Sequence, residues 1–282
     1  MKRYLLVGGG GLLGTAWLRW LSAQEEVEVF SIGQPPGRIE RNTTIKGLVS
    51  VEEMASWKPY AILHLAGPSH YEKTAEDPDK SKAGALSLAQ HLVATSKHAR
   101  AKMVFVSCDR VFDAGTGPFE ESAPRGPVTP LGQALTAIEE AVETCDDHLI
   151  IRTSALYGWG PHCPEARLTR WIKRWDANAT VTASGEILAQ PTWSDSLPRA
   201  AHAGLRRDGI LHIAGPQRMS LYDLARAAAR TWDLPPERVR SGDPTPDGLP
   251  FAGGLVAERF PLPTVQQSLP DIRRQFQLVT NL

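Results

Sequence analysis

The chain has 282 residues, with 31 lysines and arginines against 31 aspartates and glutamates, and a hydrophobic content of 42%. That length can bury a large core, as one big domain or two coupled ones. Balanced charge argues against a nucleic-acid partner, which a basic excess would accompany, and no apolar run has the roughly 20 residues that a membrane-spanning helix needs. The three cysteines, Cys108, Cys145 and Cys163, form neither a disulfide framework nor a zinc spacing, so no metal is expected. No signal-peptide pattern precedes the first strand pattern, and a cytoplasmic location is the expectation.

Tyr4–Val7 reads as a buried strand and Thr15–Leu21 as the body of a helix. Between them runs Gly8-Gly9-Gly10-Gly11-Leu12-Leu13-Gly14, with Gly8, Gly11 and Gly14 three apart. Glycine at a strand-to-helix turn lets the backbone take positive φ and approach a ligand closely. The amides that open the helix carry the positive end of its dipole. A pyrophosphate matches that place, so Gly8, Gly11, Leu12, Leu13 and Gly14 are expected to bind a nucleotide cofactor.

Val27–Ile32 reads as the second strand. A dinucleotide fold puts an acid about 20 residues beyond the glycines, on a ribose diol. Here the place holds Gly33-Gln34-Pro35-Pro36-Gly37-Arg38, with no acid. Arg38 or Arg41 can pair with a 2′-phosphate, which favours NADP over NAD. Arginines solvated in a loop are the other reading, and that leaves NAD open.

Ile45–Val49 reads as a short third strand and Val51–Trp57 as a helical turn or two. Ala61–Ala66 is a buried strand ending in small residues, so Leu65, Ala66 and Gly67 are expected to let a nucleotide lie across the sheet edge. Asp77–Arg100 is helical in pattern, with an apolar stripe of Leu86, Leu88, Ala89, Leu92 and Val93. Met103–Ser107 is another buried strand; Ser107 is expected to border the cofactor, and Cys108-Asp109-Arg110-Val111-Phe112-Asp113 follows. A turn-rich loop leads to a helix over about 131–144, then to strands at 149–153 and 209–214. Ser220 caps a further helix that runs to about Trp232.

Strands alternating with helices give an α/β fold, a doubly wound parallel sheet of Rossmann type, with a smaller carboxyl-terminal substrate lobe. The boundaries read as 1–155 and 206–234 for the nucleotide domain, and 156–205 and 235–282 for the lobe. Ligands of such sheets bind beyond the carboxyl ends of the strands. Gly8–Gly14, Ala66–Gly67, Ser107–Arg110 and Ser154–Gly158 are therefore expected to converge.

Five further stretches follow the glycines in order: Ser107-Cys-Asp-Arg-Val-Phe-Asp113, Pro118-Phe-Glu-Glu121, Arg152-Thr-Ser-Ala-Leu-Tyr-Gly158, Pro191-Thr-Trp-Ser-Asp195 and His212-Ile-Ala-Gly215. Together they resemble the extended short-chain dehydrogenases, and within them the dTDP-4-dehydrorhamnose reductase group, which includes the regulatory β subunit of methionine adenosyltransferase. The resemblance implies a nicotinamide cofactor and a Tyr-Gly-x-x-Lys catalytic segment. Here that frame reads Leu131-Gly132-Gln133-Ala134-Leu135, and the family's active-site threonine falls on Cys108. In the family, the tyrosine passes a proton to the carbonyl oxygen that receives the hydride. The lysine holds the ribose and lowers the tyrosine pKa. Leucine has no titratable proton and no hydrogen-bonding group, so neither role survives.

Four residues are candidates for replacement chemistry: Cys108, Asp109, Arg110 and Tyr157. A cysteine beside a cation can have a lowered pKa and act as nucleophile or acid; a small thiol filling the threonine's space is the alternative. Arg110 can clamp a carboxylate or phosphate, and Asp109 can pin its loop. Tyr157 or His162 can supply the lost proton from the next strand's loop. Trp159, Trp171, Trp175 and Trp193 can form an aromatic platform or simply pack, while His64 and His212 read as core histidines. The functional expectation is an NAD(P)-binding enzyme acting on a small-molecule substrate by an atypical mechanism, as a reductase or through elimination or isomerisation. Two others stay open: a catalytically silent regulatory subunit of a partner enzyme, and a cofactor-independent enzyme on the same fold. A homodimer is equally open.

Overall fold

A computed structural model describes residues 1–33, 42–66, 77–113, 117–160, 162–164, 166–242 and 253–280. Its strands are β1 (Lys2–Val7), β2 (Val27–Ile32), β3 (Asn42–Ile45), β4 (Ala61–His64), β5 (Lys102–Cys108), β6 (His148–Thr153), β7 (Leu156–Tyr157), β8 (Val181–Ser184), β9 (Leu188–Ala189), β10 (Thr192–Trp193), β11 (Gly209–His212), β12 (Met219–Ser220) and β13 (Val239–Gly242). The α-helices are α1 (Leu12–Ser22), α2 (Val51–Ser56), α3 (Pro78–Ala99), α4 (Pro130–Val142), α5 (Arg167–Asp176), α6 (Leu197–Gly204), α7 (Leu221–Thr231) and α8 (Val265–Thr280). The chain divides into two compact units, one of Met1–Asp113, Pro124–Arg152 and Ala201–Leu211, the other of Ala114–Ala123, Thr153–Ala200 and His212–Leu282.

A seven-stranded sheet in the order β11-β6-β5-β4-β1-β2-β3 organises the first unit. β1 pairs in parallel with β2 and β4, β2 with β3, and β4 with β5. Tyr4, Leu5, Leu6 and Val7 are all buried, as a central strand covered on both faces requires. The chain adds β2 and β3 on one side of β1 and then returns to place β4 on the other. The switch point of the sheet thus lies between β1 and β4, where ligands of open α/β sheets bind. The third strand lies three residues earlier than its expected start, with β-branched Thr43, Thr44 and Ile45 in register with β2.

Helix starts follow local rules. Asp77 caps α3 by accepting from Lys80 N at 3.1 Å. Thr129 caps α4 by accepting from Gly132 N at 3.1 Å, with Pro130 in the first turn.

The second unit has its own core, built from Tyr157, Trp159, Trp171, Trp175, Leu224 and Leu269 among others. Helix α7, expected in the nucleotide domain, packs in this core through Leu221, Leu224, Ala225 and Ala228. Residues 117–123 also belong here, where Phe119 bridges to Leu255. No helix among the described residues is long and apolar enough to cross a membrane.

Candidate functional site

The glycine turn is shaped by close approach. Gly8 has φ of 101°, and a Cβ there would lie 2.7 Å from Ala66 N and 2.9 Å from Leu65 C. The turn after β1 is thereby pressed against the segment after β4. A Cβ on Gly14 would collide with the Gly8 carbonyl oxygen, so α1 can seat on the turn only with glycine there. Gly11 differs: it is exposed, its φ of −82° and ψ of 172° suit any residue, and a Cβ would meet only Gly8 O at 3.9 Å. It is the N-cap of α1, it makes no side-chain cap, and no acid stands in the first turn. Helix-opening amides without a capping oxygen, no carboxylate beside them and no Cβ above them fit a pyrophosphate. Leu12 and Leu13 can contribute only their backbone amides. Leu65 and Ala66 follow β4 at the switch point. Arg38, Arg41 and Gly67 lie outside the described residues.

At the end of β5, Ser107 is buried. Burial pushes the Cys108 thiol up to about 12, and the Asp109 charge adds to it; the amide and charge of Arg110 offset only part. That direction favours a protonated thiol filling the threonine's space over a lowered pKa, since desolvation outweighs the neighbouring cation. Asp109 is buried in the 3₁₀ turn Asp109–Val111, and Arg110 on the same turn already has a partner.

Helix α4 is seated on that turn. A Cβ on Gly132 would collide with the Arg110 carbonyl oxygen and lie 2.9 Å from Pro127 Cβ. Gly132 is therefore a packing glycine, and it puts Leu131 beside the Asp109–Val111 turn. One turn further on, Leu135 is 5% exposed. Below them Glu139 accepts from Arg152 Nε at 3.1 Å and from Arg152 Nη2 at 2.7 Å, and from Arg125 Nε at 2.6 Å. Arg125 also pairs with Glu143, and the Arg152 guanidinium lies 4.9 Å from the centre of the Phe112 ring. Burial pushes the Glu139 carboxyl up. The hydrogen bonds and charge of Arg152, joined by Ser107 and Arg125, outweigh that and hold it below the usual range. The sequence reading did not assemble this network, although an acid in an apolar helix face and an arginine in an apolar strand were its signal.

Tyr157 belongs to the second unit and is 2% exposed. Its hydroxyl is held by the Ser268 hydroxyl, which donates onward to Thr264 O and Val265 O. Burial pushes the phenol up to about 12. Tyr157 is thus a core side chain with its proton engaged, which corrects its assignment as a replacement acid. Trp159, Trp171 and Trp175 are buried in the same core and pack rather than form an open platform. His162 is exposed on that unit's surface. The motif glycine Gly215 is explained by packing, since a Cβ there would collide with Pro191 O. Among the described residues, no group of three or more His, Cys, Asp or Glu side chains could hold a metal ion.

A parallel sheet with its switch point at an uncapped glycine turn defines a protein of the doubly wound α/β class. Residues 1–247 match the family described as RmlD substrate binding domain, and the chain belongs to that family. It is 28% identical over 251 residues to the "Probable dTDP-4,6-dihydroxy-2-methyloxan-3-one 4-ketoreductase" of Streptomyces antibioticus, covering 84% of this chain and 80% of that protein. It is 22% identical to methionine adenosyltransferase 2 subunit beta of Danio rerio over 252 residues, 83% of this chain and 75% of the relative. Among solved structures, dTDP-glucose 4,6-dehydratase DesIV of Streptomyces venezuelae, with NAD and TYD bound, superposes with a TM-score of 0.83 at 20% identity, over 99% of this chain and 98% of that one. The dTDP-4-dehydrorhamnose reductase of Bacillus anthracis in complex with NADP gives 0.81 at 17% identity, over 98% and 99%.

Proposed function

We propose that this chain binds a nicotinamide dinucleotide on its glycine turn and serves its family as a binding member, without the Tyr/Lys relay of carbonyl reduction. The observation that carries this is the seating of α4. Gly132 fixes the helix on the Asp109–Val111 turn, and the sequence resemblance sets the family's tyrosine and lysine frame on Leu131 and Leu135. The backbone of Gly8–Gly14 would hold the pyrophosphate, with Leu65 and Ala66 bordering it. A bound nicotinamide would supply a hydride, but α4 has no group to give the accompanying proton. Loss of a positioned acid costs roughly 10²- to 10⁴-fold in rate. A preference for NADP would rest on Arg38. The relatives named for dTDP-linked sugars point to a nucleotide-linked sugar as the second ligand. The methionine adenosyltransferase β subunits point to a partner enzyme as the output. A cytoplasmic location belongs to the same proposal.

One observation favours a second reading, an atypical reductase. A thiol with a pKa of about 12 keeps its proton at neutral pH, so Cys108 is poor as a nucleophile yet can still protonate a more basic alkoxide. The 28% identical relative named as a ketoreductase agrees with it.

Thermal melts with NAD, NADH, NADP and NADPH, followed by a hydride-transfer assay on a dTDP-4-ketosugar, separate these readings. A ligand at 100 times its Kd adds about 2.7 kcal/mol, a rise of roughly 5–10 °C at about 2–4 °C per kcal/mol. The binding reading expects the rise without turnover. Turnover that Cys108→Ala abolishes establishes the second reading instead. No shift with any nucleotide overturns both and favours a cofactor-independent protein.

A further inference from the structure

We infer that the amino end of the sheet in the first unit carries a second ligand site, a cleft that takes a phosphorylated sugar or polyol. The cleft has a volume of about 500 Å³, within the roughly 300–1,000 Å³ of small-molecule pockets. Its lining includes Tyr60, Arg100, Lys102, Asp147, Arg206 and Asp208. These residues stand before or at the start of β4, β5, β6 and β11, and all belong to the first unit. The glycine turn follows β1, at the other end of the strands. The cleft thus shares no residue with the dinucleotide site proposed above.

The chemistry of the lining points to the ligand. The Lys102 side chain is only 7% exposed, and its ammonium donates to Oδ1 of Asp147 and of Asp208, whose own side chains are 60% and 67% exposed. Each carboxylate spends one oxygen on the lysine and keeps acceptor capacity for hydroxyl groups. Arg100 and Arg206 remain as cations not spent on these acids. Among the described residues, neither guanidinium makes an ion pair or a side-chain hydrogen bond. Two planar guanidiniums match the oxygens of a phosphate. Tyr60, 40% exposed, adds an aromatic wall for the C–H face of a sugar. Its ring is held edge-on by Tyr4, with centroids 5.7 Å apart, and carries the Lys2 ammonium 4.4 Å from its centre.

The backbone gives a separate sign. Arg100 is the C-cap of α3, with φ of 51° and ψ of 42°. That is the left-handed conformation in which glycine or asparagine usually ends a helix. An arginine there holds strain that glycine would relieve, and strain of this kind gathers at ligand clamps.

Calorimetric titration of the full chain with glucose 6-phosphate, inorganic phosphate and glucose tests this. Glucose 6-phosphate is expected to bind about tenfold or more tighter than either of its parts, since the arginines hold the phosphate and the carboxylates the hydroxyls. Arg100→Gln and Arg206→Gln are each expected to weaken it about 10- to 100-fold, the worth of a charge-assisted hydrogen bond. Arg100→Gly is expected to weaken it as much while raising Tm by about 1–4 °C, because it relieves the cap. Excess NADH, which occupies the glycine turn, is expected to leave the affinity unchanged. No binding of glucose 6-phosphate overturns the inference, and so does inorganic phosphate binding as tightly. Binding that survives both glutamine substitutions, or that NADH abolishes, places the phosphate outside the cleft and overturns it as well.

Discussion

Gly11→Asp separates folding from binding at one position. The backbone there is already in the extended conformation of an N-cap, and a Cβ would meet only Gly8 O at 3.9 Å, so the substitution brings no strain. Aspartate exceeds glycine as an N-cap by a few tenths of a kcal/mol, and a negative charge at a helix start adds about 0.3–1 kcal/mol. Together they raise stability by about 0.5–1 kcal/mol, or roughly 1–4 °C in Tm for a chain of this size. The same carboxylate takes up the helix-opening amides and faces a pyrophosphate. Two unit charges about 4 Å apart near a protein surface repel by about 4 kcal/mol before salt screening. The expected loss of affinity is therefore roughly 30- to 1,000-fold. Melting without ligand, then calorimetric titration with NAD(H) at about 0.1 M salt, reads both signs. A variant that melts higher and binds like the wild type would refute the assignment of the turn as the phosphate site. A variant that melts several degrees lower would refute the cap geometry. Gly14→Ala cannot make this separation, because its Cβ collides with the turn backbone.

The remaining predictions follow from packing and charge. Gly132→Ala forces α4 off the Arg110 carbonyl and is expected to cost about 3 kcal/mol, seen as a lower urea midpoint; an unchanged midpoint would mean the helix is not seated there. Glu139 has a folded pKa below its ordinary 4.5, so its stabilisation is full above about pH 4.5 and is lost as pH falls through the folded value. Glu139→Gln should flatten the acid limb of the stability curve below that pH and cost about 3–5 kcal/mol near neutrality; an acid limb like that of the wild type contradicts the network. Tyr157→Phe should cost about 1 kcal/mol of stability and leave nucleotide affinity unchanged, whereas weakened nucleotide binding at unaltered stability would return Tyr157 to the site. Iodoacetamide should label Cys108 in the folded chain far more slowly at pH 8 than in the denatured one, and equal rates would contradict a raised pKa.

Much of the first unit was legible because its causes are local. A run of buried aliphatics, a cluster of glycines and a following helix lie within about twenty residues, and β1, the turn and α1 stand where that pattern puts them. The buried face of helix α5 is equally readable from Leu168, Trp171, Ile172 and Trp175 at helical spacing. The fold class and the absence of titratable groups at Leu131 and Leu135 needed only residue identities. The sign of a pKa did not follow from identities. Arg110 next to Cys108 argues for a thiolate in sequence, while burial among folded neighbours makes it a neutral thiol. Nor did Tyr157, whose partner Ser268 is 111 residues away, nor the core that α7 joins. Periodicity and turn chemistry are properties of neighbours along the chain, so the sequence by itself determined β1, β2, the glycine turn, α1 and the other strongly patterned strands and helices of the first unit. Desolvation, ion pairing and close backbone approach depend on which distant segments meet, and only the tertiary structure decided those.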